Sequence, residues 1–147
     1  MSLKDQLNES MKTAMKARDT LRLSAVRMIL SMVKNREIDQ KKDLNDQDVI
    51  EVISTLAKQR RESIRMYGEG NRPDLVEKEE AELEVLLGFL PAQLSSTEIE
   101  ALVDRIISET GAQGAGDMGR VMKALTPLTA GKADGKTVSD TVKKKLA

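Results

Sequence analysis

The chain contains no cysteine and no histidine, and its only aromatic residues are Tyr67 and Phe89. The first two absences exclude thiolate nucleophiles, disulfides, imidazole acid–base catalysis and zinc sites built from these ligands. The third removes the stacking platforms of sheet-type single-strand binders, so any RNA contact must run through backbone charge and shape. Long hydrophobic runs are missing too. No stretch approaches the roughly 18 apolar residues of a membrane span, and MSLKDQLNES does not read as a signal peptide. These absences predict a soluble, cytoplasmic protein with no membrane contact, no bound metal and no cofactor.

What remains is 147 residues, 39% of them hydrophobic, with eight methionines. That length suits one ordinary domain or two small ones. An aliphatic, Met-rich core fits interlocking helices better than packed sheets. Net charge is zero, but the charges are segregated. Residues 1–36 carry eight basic and three acidic side chains, 73–110 carry two and ten, and 111–147 carry seven and three. Such a pattern either pairs with itself, ends against middle, or offers basic surfaces to an acidic partner.

Helical spacing recurs along nearly the whole chain. Leu3, Leu7, Met11 and Met15 fall four apart on a first helix that Ser2 and Asp5 can cap. Asp19 caps a second, on which Leu21, Ala25, Met28, Ile29, Met32 and Val33 share a face. Asp39 to Asn45 reads as a polar linker. A third helix from about Asp46 to Tyr67 aligns Val49, Ile53, Leu56, Ile64 and Tyr67. The turn GEGNRP (68–73) leads to a fourth with Leu75, Leu83, Leu86 and Leu90, ended by Pro91. Ser95 with Glu98 forms a capping box, and Leu94 with Ile99 a hydrophobic staple. Gly111 closes that fifth helix, and two short ones follow over about 117–126 and 136–146. No strand alternation and no internal repeat is present. The expected fold is all-α: a long-helix hairpin or bundle over 1–92, then a small three-helix bundle over 93–147.

Three charged residues sit inside apolar stripes. Arg60 falls in the middle of the third helix's stripe, Glu79 in the middle of the fourth's, and Arg22 within the arc of the second. The short turn makes the third and fourth helices antiparallel neighbours. An unpaired buried charge costs several kcal/mol, so a structural salt bridge between Arg60 and Glu79, joined by Arg22, is expected. On the outer face of the third helix Lys58, Arg61 and Arg65 form a row of cations that can track a phosphate backbone.

Gly135-Lys136-Thr137 resembles the end of a nucleotide-binding loop. However, Gly131 and Gly135 are separated by three residues instead of the four that the signature requires, and no strand precedes them. Gly131 instead ends one helix, Asp134 caps the next, and Val138, Val142 and Leu146 face inward. Ser and Lys occur without a catalytic stretch to present them. The carboxylates of 77–84 wind around a helix and do not converge on a cleft. No catalytic residue is assigned.

The segments RLSAVRMILSMVKNREI (22–38), KQRRESIRMYGEGNRPDLVEKEEAELEVLLGFLPAQLS (58–95) and MGRVMKALTPLTAGKADGKTVSDTVKKKL (118–146) together resemble the YqeY family of small bacterial proteins. The same module is similar to the tail of the GatB subunit of the glutamine-dependent aspartyl/glutamyl-tRNA amidotransferase. A related appended domain occurs in some glutaminyl-tRNA synthetases. The resemblance implies two all-α domains and a link to transfer RNA. The chain has only the tail-like module, without the catalytic cradle of that subunit or its amidase partner.

The leading expectation is therefore a non-catalytic module that binds tRNA or attends a tRNA-charging or amidotransferase protein. Its phosphate contacts would be Lys132, Lys136, Lys143, Lys144 and Lys145, with Lys58, Arg61 and Arg65. The alternatives are a protein-interaction adaptor and an accessory component of a carbon–nitrogen ligase with glutamine as amido-N-donor.

Overall fold

The computed structural model describes all 147 residues, and helices are its only regular elements. Seven α-helices follow one another: α1 (Leu3–Ala17), α2 (Thr20–Gln40), α3 (Asp46–Glu69), α4 (Pro73–Leu87), α5 (Ser96–Thr110), α6 (Met118–Thr129) and α7 (Gly135–Leu146), with one 3-10 turn at Ala115–Asp117. The chain divides into two compact units, Met1–Leu90 and Pro91–Ala147.

Local chemistry sets the helix ends. Ser2, Asn45 and Ser95 each accept from the backbone N–H three residues on, and the acid at that position, Asp5, Asp48 or Glu98, returns the bond. These capping boxes satisfy donors that a bare helix start leaves unpaired. Asp19 caps α2 through the Arg22 N–H. Gly111 ends α5 at φ 68°, in the left-handed region that glycine takes without a Cβ penalty. Arg18, Lys41 and Asn71 also hold positive φ, each in the short connection after a helix of the first unit.

In the first unit α1 to α4 enclose a core of Leu3, Leu7, Val26, Ile29, Val33, Leu44, Val49, Val52, Ile53, Leu56 and Leu86. Fully burying each such side chain contributes about 1.5–3 kcal/mol. The expected stripe of α1 is only half right. Residues four apart drift by about 40° per step, so Leu3 and Leu7 are buried while Met15 has turned out to 51% exposure. Ala14, which falls back between Leu3 and Leu7 on the wheel, is buried in its place. On α2 Met28 is exposed and Val26 is fully buried. The supposed linker from Asp39 begins later, because α2 runs to Gln40. It also contains a core residue. Leu44 precedes the Asn45 cap and packs in the same cluster as Val49, which is the geometry of a hydrophobic staple. Helix α4 stops at Leu87 with Gly88 as its cap, so Pro91 lies beyond the helix and does not end it.

In the second unit α5, α6 and α7 pack around Ile99, Val103, Ile106, Val121, Leu125, Val138, Val142 and Leu146. Helix α6 continues to Thr129 through Pro127. Proline removes one N–H bond there, but Leu125 and Thr129 are buried and the Thr129 hydroxyl donates to the Leu125 carbonyl at 3.1 Å.

Candidate functional site

The charged residues inside the apolar stripes of α3 and α4 meet. Arg60 Nε lies 3.3 Å from Glu79 Oε2 and 2.8 Å from Glu82 Oε2, with all three side chains only 13–16% exposed. The Nε–H points squarely at neither oxygen, so the contact is ionic more than a directed hydrogen bond. Arg60 Nη2 also donates to Met28 Sδ of α2 at 2.9 Å. Arg22 does not join. It stands 4.0 Å from its own cap Asp19 and reaches Ser10 Oγ at 3.4 Å. Arg22 and Met28 are six residues apart on α2, about 9 Å along the axis, so Arg22 shares the arc but not the level of Arg60. Glu82, three residues from Glu79 and on the same face, takes the place expected for it.

The outer row of α3 is weaker than its cation count. Arg65 is held by Glu69 at 2.8 Å and by Glu62 more closely still, and the two carboxylates keep its guanidinium pKa above the ordinary value. Arg61 is half-buried and engaged. Only Lys58 stands exposed without a carboxylate. Pairing with Glu62 and Glu69 offsets the charge of Arg65 within the row.

The lysines of the second unit differ. The segment 91–94 is pinned to the α6–α7 turn: Leu94 N–H donates to the Lys132 carbonyl at 2.8 Å, and Gln93 Nε2 to the Gly131 carbonyl at 2.8 Å. Gly131, at φ 74°, turns the chain there. Lys132 is thus fixed at the mouth of a tight turn, with its side chain exposed. Lys136 follows in the first turn of α7, where the helix's partial positive charge disfavours a cation. Lys143, Lys144 and Lys145 lie in its last turn, where the dipole favours them. Of the five, Lys145 alone has a carboxylate partner, Asp104 at 3.3 Å. A groove of about 540 Å³ runs between the start of α5 and α7, lined by Ser96, Ile99, Glu100, Thr137, Asp140, Thr141, Lys144 and Lys145. Its hydroxyls are committed locally: Thr137 donates to Asp134 Oδ2 at 3.2 Å and Thr141 to the Thr137 carbonyl at 2.8 Å. The groove sets the ammonium groups of Lys144 and Lys145 beside the carboxylates of Glu100 and Asp140, with Ile99 as a small apolar floor. No group of three or more carboxylates converges as a metal-binding set, and no helix is long and apolar enough to cross a membrane.

These features define a class: an all-helical protein of two units whose last helix presents unpaired lysines. A family model described as Yqey-like protein matches residues 4–146, and the chain belongs to that YqeY family. Among curated relatives, Altered inheritance of mitochondria protein 41, mitochondrial, from Lachancea thermotolerans is 43% identical over 107 residues, covering 70% of this chain and 57% of that protein. The protein of the same name from Kluyveromyces lactis is 39% identical over 106 residues, with 70% and 57% covered. That of Saccharomyces cerevisiae strain YJM789 is 33% identical over 95 residues, with 64% and 51% covered. The chain therefore spans just over half the length of these relatives. Their names place them in mitochondria, which overturns the cytoplasmic expectation. A cysteine-free, charged helical chain reads the same in either compartment, so composition could not separate the two.

Proposed function

We propose that this YqeY protein is a non-catalytic module that engages tRNA through its second unit, alone or beside a tRNA-charging or amidotransferase protein. The observation that carries the reading is the set Lys132, Lys136, Lys143 and Lys144, four exposed ammonium groups that form no salt bridge, although Asp140 stands three or four residues from the last three on α7. Lys136 supports it most, because its position costs the helix about 0.3–1 kcal/mol and no packing in the fold requires it. The resemblance of residues 118–146 to the amidotransferase tail points to tRNA among polyanions. Two phenomena limit the affinity. The unit carries eight basic and seven acidic side chains, and exposed lysines bind phosphates through screened Coulomb forces that fade with salt.

That near-neutrality also favours a second reading, a protein-interaction adaptor. Recovery of the protein from cells, with and without nuclease, separates the two. The tRNA reading predicts co-purifying tRNA, with any protein partner lost on nuclease treatment. A partner that stays bound after nuclease, with no tRNA recovered, selects the adaptor instead.

A further inference from the structure

The outer face of α2 has no role in the core and none in the lysine set of the second unit. Arg27 and Lys34 stand on it, and Lys41, the left-handed cap just past the helix end, follows seven residues on; all three are exposed. Seven residues span about 10.5 Å along a helix and drift by only about 20°, so Arg27 and Lys34 lie nearly in line, and Lys41 adds a third cation at the end of the same helix. Ser24 and Ser31, also exposed, stand between and beside them. The row is uncompensated. Arg65, Arg72, Arg105 and Arg120 each have a carboxylate within 4.0 Å from a residue two to four positions away. Arg27, Lys34 and Lys41 form no such pair: Glu37, Asp39 and Asp43 are the carboxylates within two to four residues of them, and only Glu37 is three or four away. That group is already bound by Lys4 Nζ at 2.8 Å and by the Leu44 N–H at 2.8 Å. Its remaining neighbour on α2, Asp39, lies roughly on the opposite side of the wheel from Lys34.

We infer that this face is a second phosphate track, on the first unit, which binds the backbone of an RNA strand through Arg27, Lys34 and Lys41. The inference rests on the tRNA reading and adds a contact surface that reading does not contain. The three cations neutralise phosphates, and the serine hydroxyls donate between them. With no aromatic residue on the face, contact is indifferent to base identity. Lys41 sits at φ 54°, a backbone state glycine takes without strain. Its replacement by glycine therefore removes the charge without weakening the turn.

The test compares the full chain with two variants, Arg27→Gln/Lys34→Gln/Lys41→Gly and Lys136→Gln/Lys143→Gln/Lys144→Gln. Binding of labelled tRNA is followed by anisotropy across a salt series. Each lost phosphate contact lowers the slope of log K against log salt by about 0.7–0.9, so the α2 variant is expected to lose about 2 to 3 in slope with its thermal midpoint kept. If only the α7 variant loses slope, the α2 inference is overturned and the tRNA reading stands. If only the α2 variant does, the inference holds and the α7 placement fails. No tRNA binding by the unaltered chain overturns both. An unchanged tRNA slope with loss of binding to anionic phospholipid vesicles assigns the row to a lipid surface and overturns the inference.

Discussion

Replacing Arg60 with methionine should destabilise the first unit far more than replacing either of its partners. One guanidinium serves two carboxylates at 2.8 and 3.3 Å, and all three charged side chains are at most 16% exposed. At an effective dielectric near 20, opposite unit charges about 4 Å apart attract by about 4 kcal/mol, and desolvation takes back much of that. Removing the arginine leaves two half-buried carboxylates with no cation, at a cost of about 2–4 kcal/mol. Glu79→Gln or Glu82→Gln leaves a balanced one-to-one pair and should cost about 0–1 kcal/mol. In the Arg60→Met background the two Glu→Gln changes should then restore most of the loss, because no uncompensated charge remains. The assay is urea unfolding followed by far-UV circular dichroism, since the chain has no tryptophan. Equal destabilisation by Arg60→Met and Glu79→Gln, or no rescue in the triple variant, would refute the assignment.

Three further outcomes follow from the same structure. Gly111→Ala should lower stability by about 1–2 kcal/mol from backbone strain alone, since nothing lies within 4 Å of the added Cβ while φ is 68°; an unchanged thermal midpoint contradicts it. Ser95→Ala should cost about 1 kcal/mol by opening the capping box of α5, and a loss below a few tenths in urea unfolding would show that the box is ornamental. The hydrogen bond from Lys4, and then that from the Leu44 N–H, hold the Glu37 carboxyl below its ordinary 4.5. A lowered folded pKa gives stability that is present at neutral pH and lost as pH falls through the carboxylate range. Glu37→Gln should therefore flatten the acid limb of stability against pH; identical acid limbs would remove that assignment.

Much of this was legible in the residues because helices declare themselves by period. The all-α class, the caps at Ser2, Asp19 and Ser95, and the turn at Gly131 need only local chemistry. The encounter of Arg60 with Glu79 was readable because both broke apolar stripes on adjacent helices. Glu82 was readable too, three residues from Glu79, but its wheel position at the stripe's edge hid it. Arg22 failed for a different reason: a helical wheel gives angle and discards height. Leu44 was masked by charged neighbours, although the staple position before Asn45 marked it. In the row Lys58, Arg61 and Arg65, charge counting misses the two acids, Glu62 and Glu69, that hold Arg65. The α2 row was missed for the converse reason, since only the structure shows Glu37 committed to Lys4.

The central claim is that phosphates meet the unpaired lysines of α7. The most direct measurement is a titration of tRNA with the full chain at low salt, set beside Lys136→Gln/Lys143→Gln/Lys144→Gln. The account predicts saturable binding in the micromolar range that rising salt abolishes and that the triple variant weakens at unchanged thermal stability. No binding at tens of micromolar protein, or equal binding by both chains, would contradict it.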